Sequence, residues 1–273
     1  MAMKAAGMAG VNPLNPKLTA LLEAQIAAVS ALHGVLPALE LAAHVATQSL
    51  RAGGRLGYAG AGSSGLMAMA DCLELAGTFG LPPEATPMMM AGGADSLLHL
   101  RGGVEDDPAL ALADLDRAGL VAGDALLCLS ASGRTPYALA IARAAKARQV
   151  AVIGLANVAG SPLLEIADIP VLIETGAEVV SGSTRMGAAT AQKVALNMLS
   201  VLIGLRLGHV HDGYMVNVVA DIADSMGHTA AEMAGRAGMY GMSSTGTMRE
   251  TTPLLPCRPA ILSPDCRRRL TAT

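Results

Sequence analysis

The pattern of hydrophobic and polar positions changes character after residue 52 of this 273-residue chain. Up to that point apolar residues recur at helical spacing, from Leu18 through Ile26 to Leu32, which predicts a helical segment over about Pro16–Ala52. Gly53-Gly54 interrupts the pattern. Beyond it, short and nearly continuous apolar runs alternate with helical patterns, as expected for strands that helices cover on both faces.

This alternation predicts an α/β fold, a three-layer αβα sandwich around a five-stranded parallel sheet with flanking helices. We expect an N-terminal helical segment at 1–52, the sandwich at 53–208, a C-terminal helical extension at 209–238 and an irregular, proline-rich tail at 239–273. The predicted strands are Arg55–Ala59, Thr86–Ala91, Asp124–Leu129, Gln149–Leu155 and Ile169–Glu174. The predicted helices of the sandwich are Ser64–Thr78, Asp95–Gly102, Pro108–Ala118, Pro136–Arg148 and Met186–Leu207. Three helix starts are marked by a capping side chain before a proline, at Asp107-Pro108, Thr135-Pro136 and Ser161-Pro162.

The composition narrows the class of partner. Hydrophobic residues make up 52% of the chain, but it has one Phe, four Tyr and no Trp, so base stacking is not expected to drive recognition. The formal net charge of −3 also argues against a nucleic-acid partner. The longest apolar stretch, Val194–Leu205, is shorter than the roughly 20 residues that cross a bilayer, so we expect no membrane partner.

The cysteines and the N-terminus indicate the compartment. Cys72, Cys128, Cys257 and Cys266 show no CxxC spacing, and the first two lie in apolar runs. The first ten residues carry no sustained apolar region of the kind that a secretory signal needs. We therefore expect a cytoplasmic protein with reduced thiols.

A glycine-rich turn, Gly60–Gly65, follows the first predicted strand and opens a helix. Glycines let the backbone approach an anion, and the start of a helix offers free N–H groups to it, to which Ser63 and Ser64 add hydroxyls. The same GxGxxG spacing occurs in dinucleotide folds, which also place an acidic residue at the end of the second strand. That strand ends here in Gly92-Gly93, and Asp95 comes too late.

A second turn, Ser130–Thr135, decides between these two interpretations. It follows the third predicted strand, opens another helix and carries three hydroxyls, those of Ser130, Ser132 and Thr135. Such hydroxyls often only cap helices. Two hydroxyl-rich turns at the carboxyl ends of parallel strands can face one crevice, however, so we expect them to hold one phosphate.

With these turns in place, the sequence resembles the SIS (sugar isomerase) domain family, and more narrowly the bacterial N-acetylmuramic acid 6-phosphate etherases. By eye the likeness covers roughly Gly53–Ala220. The segments that carry it are Gly60–Gly65, Thr78–Glu84, Ala91–Gly93, Glu105-Asp106, Ala131–Tyr137 and, above all, Glu178–Met186.

The resemblance implies the site and its chemistry. The family's two catalytic carboxylates fall on Glu74 and Glu105 of this sequence. The resemblance implies that Glu74 is the acid that protonates the lactyl ether oxygen of the substrate and that Glu105 is the base that removes the proton at C2 of its sugar. A β-elimination needs both an acid and a base. It also implies a homodimer with sites near the subunit interface, and no metal or organic cofactor. The hydroxyls expected to bind the phosphosugar substrate are those of Ser63, Ser64, Ser130, Ser132, Thr135 and Ser183.

Taken alone, both carboxylates have simpler interpretations. Glu105 begins an acidic cluster, Glu105-Asp106-Asp107, that reads as a solvated helix cap, and Glu74 could be an ordinary surface residue of its helix. The chain also departs from the family around Glu74. Where the family has Ala-Ser-Glu-Cys-Pro-Pro, this chain has Cys72–Gly77, and Gly187 stands in place of a family lysine.

Other polar residues are weaker candidates. His209 and His211 are two residues apart and do not share a helix face, so a metal site is not expected. Arg185 could neutralise substrate charge or pair at the start of a helix, and Lys193 could be structural.

Three functions remain open on the sequence: an etherase, a non-catalytic phosphosugar sensor and an aldose–ketose isomerase. The etherase, a carbon–oxygen lyase, would convert N-acetylmuramic acid 6-phosphate to N-acetylglucosamine 6-phosphate and D-lactate. The retained pair Glu74 and Glu105 favours it over a sensor, and the Glu178–Arg185 segment argues against the isomerase.

Overall fold

A computed structural model describes residues 15–100, 102–211 and 213–217 of the chain. The helices are α1 (Pro16–Ser30), α2 (Leu36–Arg51), α3 (Gly62–Phe79), α4 (Asp95–Leu98), α5 (Pro108–Ala118), α6 (Pro136–Ala147), α7 (Pro162–Ile166) and α8 (Gly187–Leu207). The strands are β1 (Leu56–Gly60), β2 (Met88–Met90), β3 (Ala125–Leu129), β4 (Ala151–Ala156), β5 (Ile169–Leu172), β6 (Val210–His211) and β7 (Tyr214–Met215).

The first five strands form one parallel sheet in the order β2-β1-β3-β4-β5, as predicted. Side chains alternate between its two faces. Tyr58 and Leu127 point into a core shared with α1, α2, α3 and α8, whereas Leu126 and Cys128 point into a second core with α5 and α6. The predicted three-layer αβα sandwich is therefore confirmed, and it places the loops that follow all five strands along one edge.

Several boundaries differ from the prediction. Helix α4 ends at Leu98 rather than Gly102, because the backbone turns extended at His99. Asp107 caps α5 as predicted, accepting hydrogen bonds from the N–H groups of Ala109 and Leu110. The side chains of Thr135 and Ser161 make no capping hydrogen bond.

The predicted helical extension from residue 209 does not begin as a helix. Gly208 ends α8 in the left-handed conformation, with φ of 81°, and β6 then pairs with β7 as an antiparallel hairpin. Asp212-Gly213 lies between these strands in the sequence, and this dipeptide is a common hairpin signal. Residues 218–238 and the tail at 239–273 lie outside the described residues.

Within the part of the chain that the structure describes, two helical stretches are long and apolar enough to cross a bilayer by length and composition alone, Pro16–Arg51 and Gly187–Leu207. The second stretch, α8, packs against α1, α2 and α3, and eleven of its residues are buried. A helix buried inside a protein and a helix that spans a membrane are both mostly apolar. The burial of α8 against its neighbouring helices therefore explains its apolar composition.

The two cysteines in the described residues, Cys72 and Cys128, are buried free thiols, as expected for core positions. Burial raises the pKa of the Cys72 thiol to about 11 and that of Cys128 to about 12. Both therefore stay protonated near neutral pH and are poor nucleophiles. Cys257 and Cys266 lie outside the described residues.

Candidate active site

The two hydroxyl-rich turns meet at the carboxyl edge of the sheet. Strands β1 and β3 are neighbours with Gly60 opposite Leu129, so the chain leaves both strands at the same level. The turns touch directly, because the N–H of Ala131 donates a hydrogen bond of 3.2 Å to Oγ of Ser64. The structure thus places the predicted phosphate turns in contact, with Ser63 half-buried beside Ser64 on the first turn of α3.

The hydroxyls of the second turn form a cluster. Oγ of Ser130 lies 2.9 Å from Oγ1 of Thr135 and 3.5 Å from Oγ of Ser132. Oγ of Ser132 accepts a hydrogen bond of 3.2 Å from the N–H of Arg134. Backbone donors thus fill acceptor positions on Ser64 and Ser132, which leaves the hydrogens of both hydroxyls available to an anion.

Glu105 stands at the meeting point of two helix starts. Its carbonyl accepts a hydrogen bond of 3.0 Å from the N–H of Tyr137 on the first turn of α6. Its carboxylate lies over Gly62, the first residue of α3. Burial raises the pKa of the Glu105 carboxyl above its ordinary value, and the carboxylate of Asp106 raises it further. A carboxyl in this state is suited to take up a proton from a substrate.

Glu74 is not brought to Glu105 within one chain. Leu75 and Ala76 are good helix formers and carry α3 past Glu74 to Phe79. Because a helix rises about 1.5 Å per residue, Glu74 lies roughly 18 Å along α3 from Gly62. Its side chain is 64% exposed and pairs with Nζ of Lys193 at 3.8 Å. This separation exceeds the reach of one hexose phosphate.

The Glu178–Arg185 segment forms part of the loop between β5 and α8, at the same edge as the phosphate turns. The carboxylate of Glu178 accepts hydrogen bonds of 2.9 Å from the N–H groups of Gly187 and Ala188, so it caps α8. Ser183 is half-buried in this loop and donates its N–H to the carbonyl of Val180. In the described residues no hydrogen bond joins Ser183 to the two phosphate turns.

Two residues that the sequence did not indicate as site residues, Asn157 and the predicted N-cap Ser161, also contribute to the edge. Asn157, directly after β4, donates its N–H to the carbonyl of Ala131 at 2.9 Å, and its side chain accepts from Gln192 of α8. Ser161 lies against Gly133 of the second turn with its hydroxyl buried and unpaired in the described structure. The position of Asn157 after a strand was the available signal, since loops at strand carboxyl ends gather at one edge.

The weaker candidates take ordinary places. Within the described ranges, no three His, Cys, Asp or Glu side chains come together as metal ligands, and burial lowers the pKa of His209. Arg185 is exposed, and among the ion pairs of the described residues none holds it at the start of α8. Lys193 pairs with Glu74, which leaves it beside one of the predicted catalytic carboxylates.

Comparison with known proteins places these features in a family. The SIS domain family model matches residues 30–157. The chain is 41% identical over 229 residues to the N-acetylmuramic acid 6-phosphate etherase of Deinococcus radiodurans, covering 84% of this chain and 72% of that protein. For the etherase of Geobacillus thermodenitrificans the identity is 39% over 224 residues, with 82% and 73% covered. For that of Mycolicibacterium smegmatis it is 36% over 237 residues, with 86% and 77% covered.

Solved structures support the fold. A phosphoheptose isomerase from Francisella tularensis superposes with a TM-score of 0.53 at 20% identity, covering 69% of this chain and 97% of that one. A phosphosugar isomerase from Bacteroides fragilis gives a TM-score of 0.54 at 20% identity, with 72% and 95% covered. At this level of identity the likeness concerns the αβα architecture alone.

Proposed function

Because the chain belongs to the family of N-acetylmuramic acid 6-phosphate etherases, we propose that it cleaves the lactyl ether of N-acetylmuramic acid 6-phosphate to give N-acetylglucosamine 6-phosphate and D-lactate. One observation carries the proposal beyond the family: the Glu105 carboxylate lies over the start of α3, and Ser64 stands on the same turn of that helix, beside the second hydroxyl-rich loop. A phosphate cradle and a carboxyl with a raised pKa therefore share one crevice.

The phosphate is bound at the two turns. The hydroxyls of Ser64, Ser132 and either Ser130 or Thr135 each have a hydrogen to donate, and the start of α3 adds free N–H groups. Hydrogen bonds to a charged acceptor are stronger than those between neutral groups, so a phosphate dianion is favoured over a neutral hydroxyl at this position. Ser63 and Ser183 stay proposed substrate contacts.

Glu105 serves as the base. It takes the C2 proton of the open-chain aldose, the C3–O bond breaks, and the lactyl oxygen leaves with a proton from an acid. Water then adds at C3, and C2 regains a proton that comes from solvent. A raised pKa makes the Glu105 carboxylate a stronger base toward the C2 proton than an ordinary glutamate would be.

Glu74, the proposed acid, must reach the sugar from a second copy of the chain, because it lies too far from Glu105 in its own chain. The surface around it suits such contact. Leu73 beside it is 69% exposed, and an apolar groove of about 820 Å³ runs between α2 and α8. Lys193 both lines this groove and pairs with Glu74. We therefore propose a homodimer that forms through this face. We also propose that the protein acts in the cytoplasm.

The reaction is tested by incubation of the purified chain with N-acetylmuramic acid 6-phosphate in deuterium oxide. Released D-lactate and deuterium at C2 of the product are expected. Glu105→Gln should abolish both while it retains binding of N-acetylglucosamine 6-phosphate. Phosphosugar binding by the wild type without lactate release would instead support a sensor.

A mixture of two inactive variants tests the contribution of the second copy. A dimer of Glu105→Gln with Glu74→Gln has one site with both carboxylates only if Glu74 acts across the interface. Mixing equal amounts after unfolding and refolding should restore about a quarter of the wild-type activity, since half of the dimers are mixed and each has one intact site. Activity that stays at the level of the separate variants would contradict this arrangement.

A further inference from the structure

A fully buried amide links the long helix α8 to the sheet edge. Gln192 has 0% exposure, and its Nε2 donates a hydrogen bond of 2.9 Å to Oδ1 of Asn157. Its own Oε1 is buried without a partner in the described structure. An unpaired buried acceptor costs free energy, and an apolar side chain of similar size would avoid that cost. We therefore expect the hydrogen bond to Asn157 to be the reason that a glutamine lies at this buried position.

Asn157 joins three strand ends. Its backbone N–H, directly after β4, donates to the carbonyl of Ala131 in the loop after β3 at 2.9 Å. Its Nδ2 donates to the carbonyl of Ile173, directly after β5, at 3.0 Å. With Oδ1 held by Gln192, each polar group of the side chain has a partner. The side chain of Asn157 is therefore held by Ile173 and by Gln192, while its backbone N–H contacts the second phosphate turn.

The Ala131 peptide connects Asn157 to the first phosphate turn. Its carbonyl is held by Asn157, and its N–H donates to Oγ of Ser64 at 3.2 Å. Because this N–H occupies a lone pair of the Ser64 hydroxyl, it sets the direction in which that hydroxyl can donate its hydrogen. A tilt of the Ala131 peptide would therefore misalign Ser64 with a phosphate.

We propose that Gln192 and Asn157 are positioning residues of the phosphate cradle, acting through the Ala131 peptide on Ser64. This inference rests on the proposed function for the identity of the ligand's phosphate. Neither side chain needs to touch the substrate. Hydrogen-bonded chains of this kind strengthen and orient their members, so the loss of one end is felt at the other.

The role separates from a merely structural one because binding should weaken without a matching loss of stability. Gln192→Leu removes one buried unpaired acceptor but leaves Oδ1 of Asn157 without its donor, so its melting temperature should stay close to that of the wild type. Its dissociation constants for N-acetylglucosamine 6-phosphate and for inorganic phosphate, measured by calorimetry, should both rise about tenfold. In the lactate assay, KM should rise with them and kcat should stay within about twofold.

Ser200→Ala is the matched control. Ser200 is also a buried polar residue of α8, but it hydrogen-bonds to Asp71 in the core. About 12 Å of helix separates it from Gln192. This variant should lose stability and leave both dissociation constants unchanged. Unchanged phosphate binding in Gln192→Leu, or equal weakening in Ser200→Ala, would overturn the proposal.

A double-mutant cycle tests the relay, by which we mean the path of hydrogen bonds from Gln192 through Asn157 and the Ala131 peptide to Ser64. Asn157→Ala removes the acceptor for Gln192, so the double variant should bind phosphate no more weakly than the worse of the two single variants. Additive losses would overturn the relay. Binding is measured without turnover, so a wild type that binds phosphosugar but releases no lactate contradicts only the etherase. A wild type that binds neither probe overturns the cradle and the relay together.

Discussion

The carboxylate of Glu105 lies over the α-carbon of Gly62, with its Cδ 3.1 Å from the point that a Cβ on residue 62 would occupy. Gly62 also has a φ of 52°, a left-handed conformation in which a side chain is strained. The first residue of α3 therefore leaves the space in which the proposed base stands.

Gly62→Ala should displace the Glu105 carboxylate and lower kcat by at least tenfold, since small misplacements of a reacting group are costly. Binding of N-acetylglucosamine 6-phosphate, measured by calorimetry, should weaken far less. Gly77→Ala is the matched control in the same helix, because nothing lies within 4 Å of its Cβ position. It should keep full activity and gain about 0.5–1 kcal/mol in unfolding free energy. Equal activity of the two variants would contradict the placement of Glu105.

Asp106→Asn should shift the acidic limb of the pH profile of kcat/KM to lower pH. Glu105 must be ionised to act as a base, and Asp106 adds to the rise in its pKa that burial causes. Removal of that negative charge lowers the pKa of Glu105, so more of it is ionised in mildly acid solution. The rate on the plateau above that limb should change little. A limb that stays in place or moves to higher pH would argue against Glu105 as the titrating group.

Gly133→Ala should weaken phosphate binding, and Ser161→Gly should partly restore it. A Cβ on residue 133 would stand 2.5 Å from the Cβ of Ser161, so the second turn must shift. With glycine at 161 that clash is gone. What remains is a tight contact of 3.2 Å with the Cβ of Ala156 and the penalty of about 1–2 kcal/mol for alanine at a φ of 63°, so the rescue is partial. Calorimetry with inorganic phosphate measures both variants. A double variant that binds no better than Gly133→Ala would show that the clash with Ser161 is not the cause.

Asp71→Ala should destabilise the fold by about 2–4 kcal/mol, because it removes the acceptor of the buried Tyr58 hydroxyl and one of the two acceptors of the Ser200 hydroxyl. Asp71 is 2% exposed and accepts hydrogen bonds of 3.0 Å from Tyr58 and from Ser200. Urea unfolding at pH 7 measures the change. Lysines or carboxylates on the surface, such as Glu84, provide substitutions with no comparable effect.

The same carboxyl should make stability depend on pH. Burial raises the pKa of Asp71 from its ordinary value of 3.8. Between the two pKa values the unfolded chain has released the proton and the folded chain has kept it, so unfolding free energy falls as pH rises through that range. Asp71→Asn has no such proton and should flatten this slope in urea unfolding from pH 4 to 8. A slope equal to that of the wild type would assign it to other groups.

Local patterns were enough to predict the sheet and the turns. The strand runs, the glycines of Gly60–Gly65 and the hydroxyls of Ser130–Thr135 are close together in the sequence, so their conformations follow from interactions between neighbours. Parallel pairing of β1 with β3 then follows from the alternation of strands and helices. The hairpin of β6 and β7 differs from the predicted helical extension although an Asp-Gly hairpin signal is present, because the apolar residues around it also fit a helical pattern.

The sequence by itself therefore determined the αβα sandwich and the edge at which a phosphate would be held. Only the tertiary structure decided which carboxylate stands there. Glu105 reaches Gly62 across 43 positions of sequence because the loop after β2 folds onto the start of α3, whereas Glu74 is carried away by the straight helix that contains it. The contacts of Asn157 with Ala131 and Gln192 are equally distant in sequence. Such contacts depend on the register of strands and the packing of helices, and no local pattern encodes them.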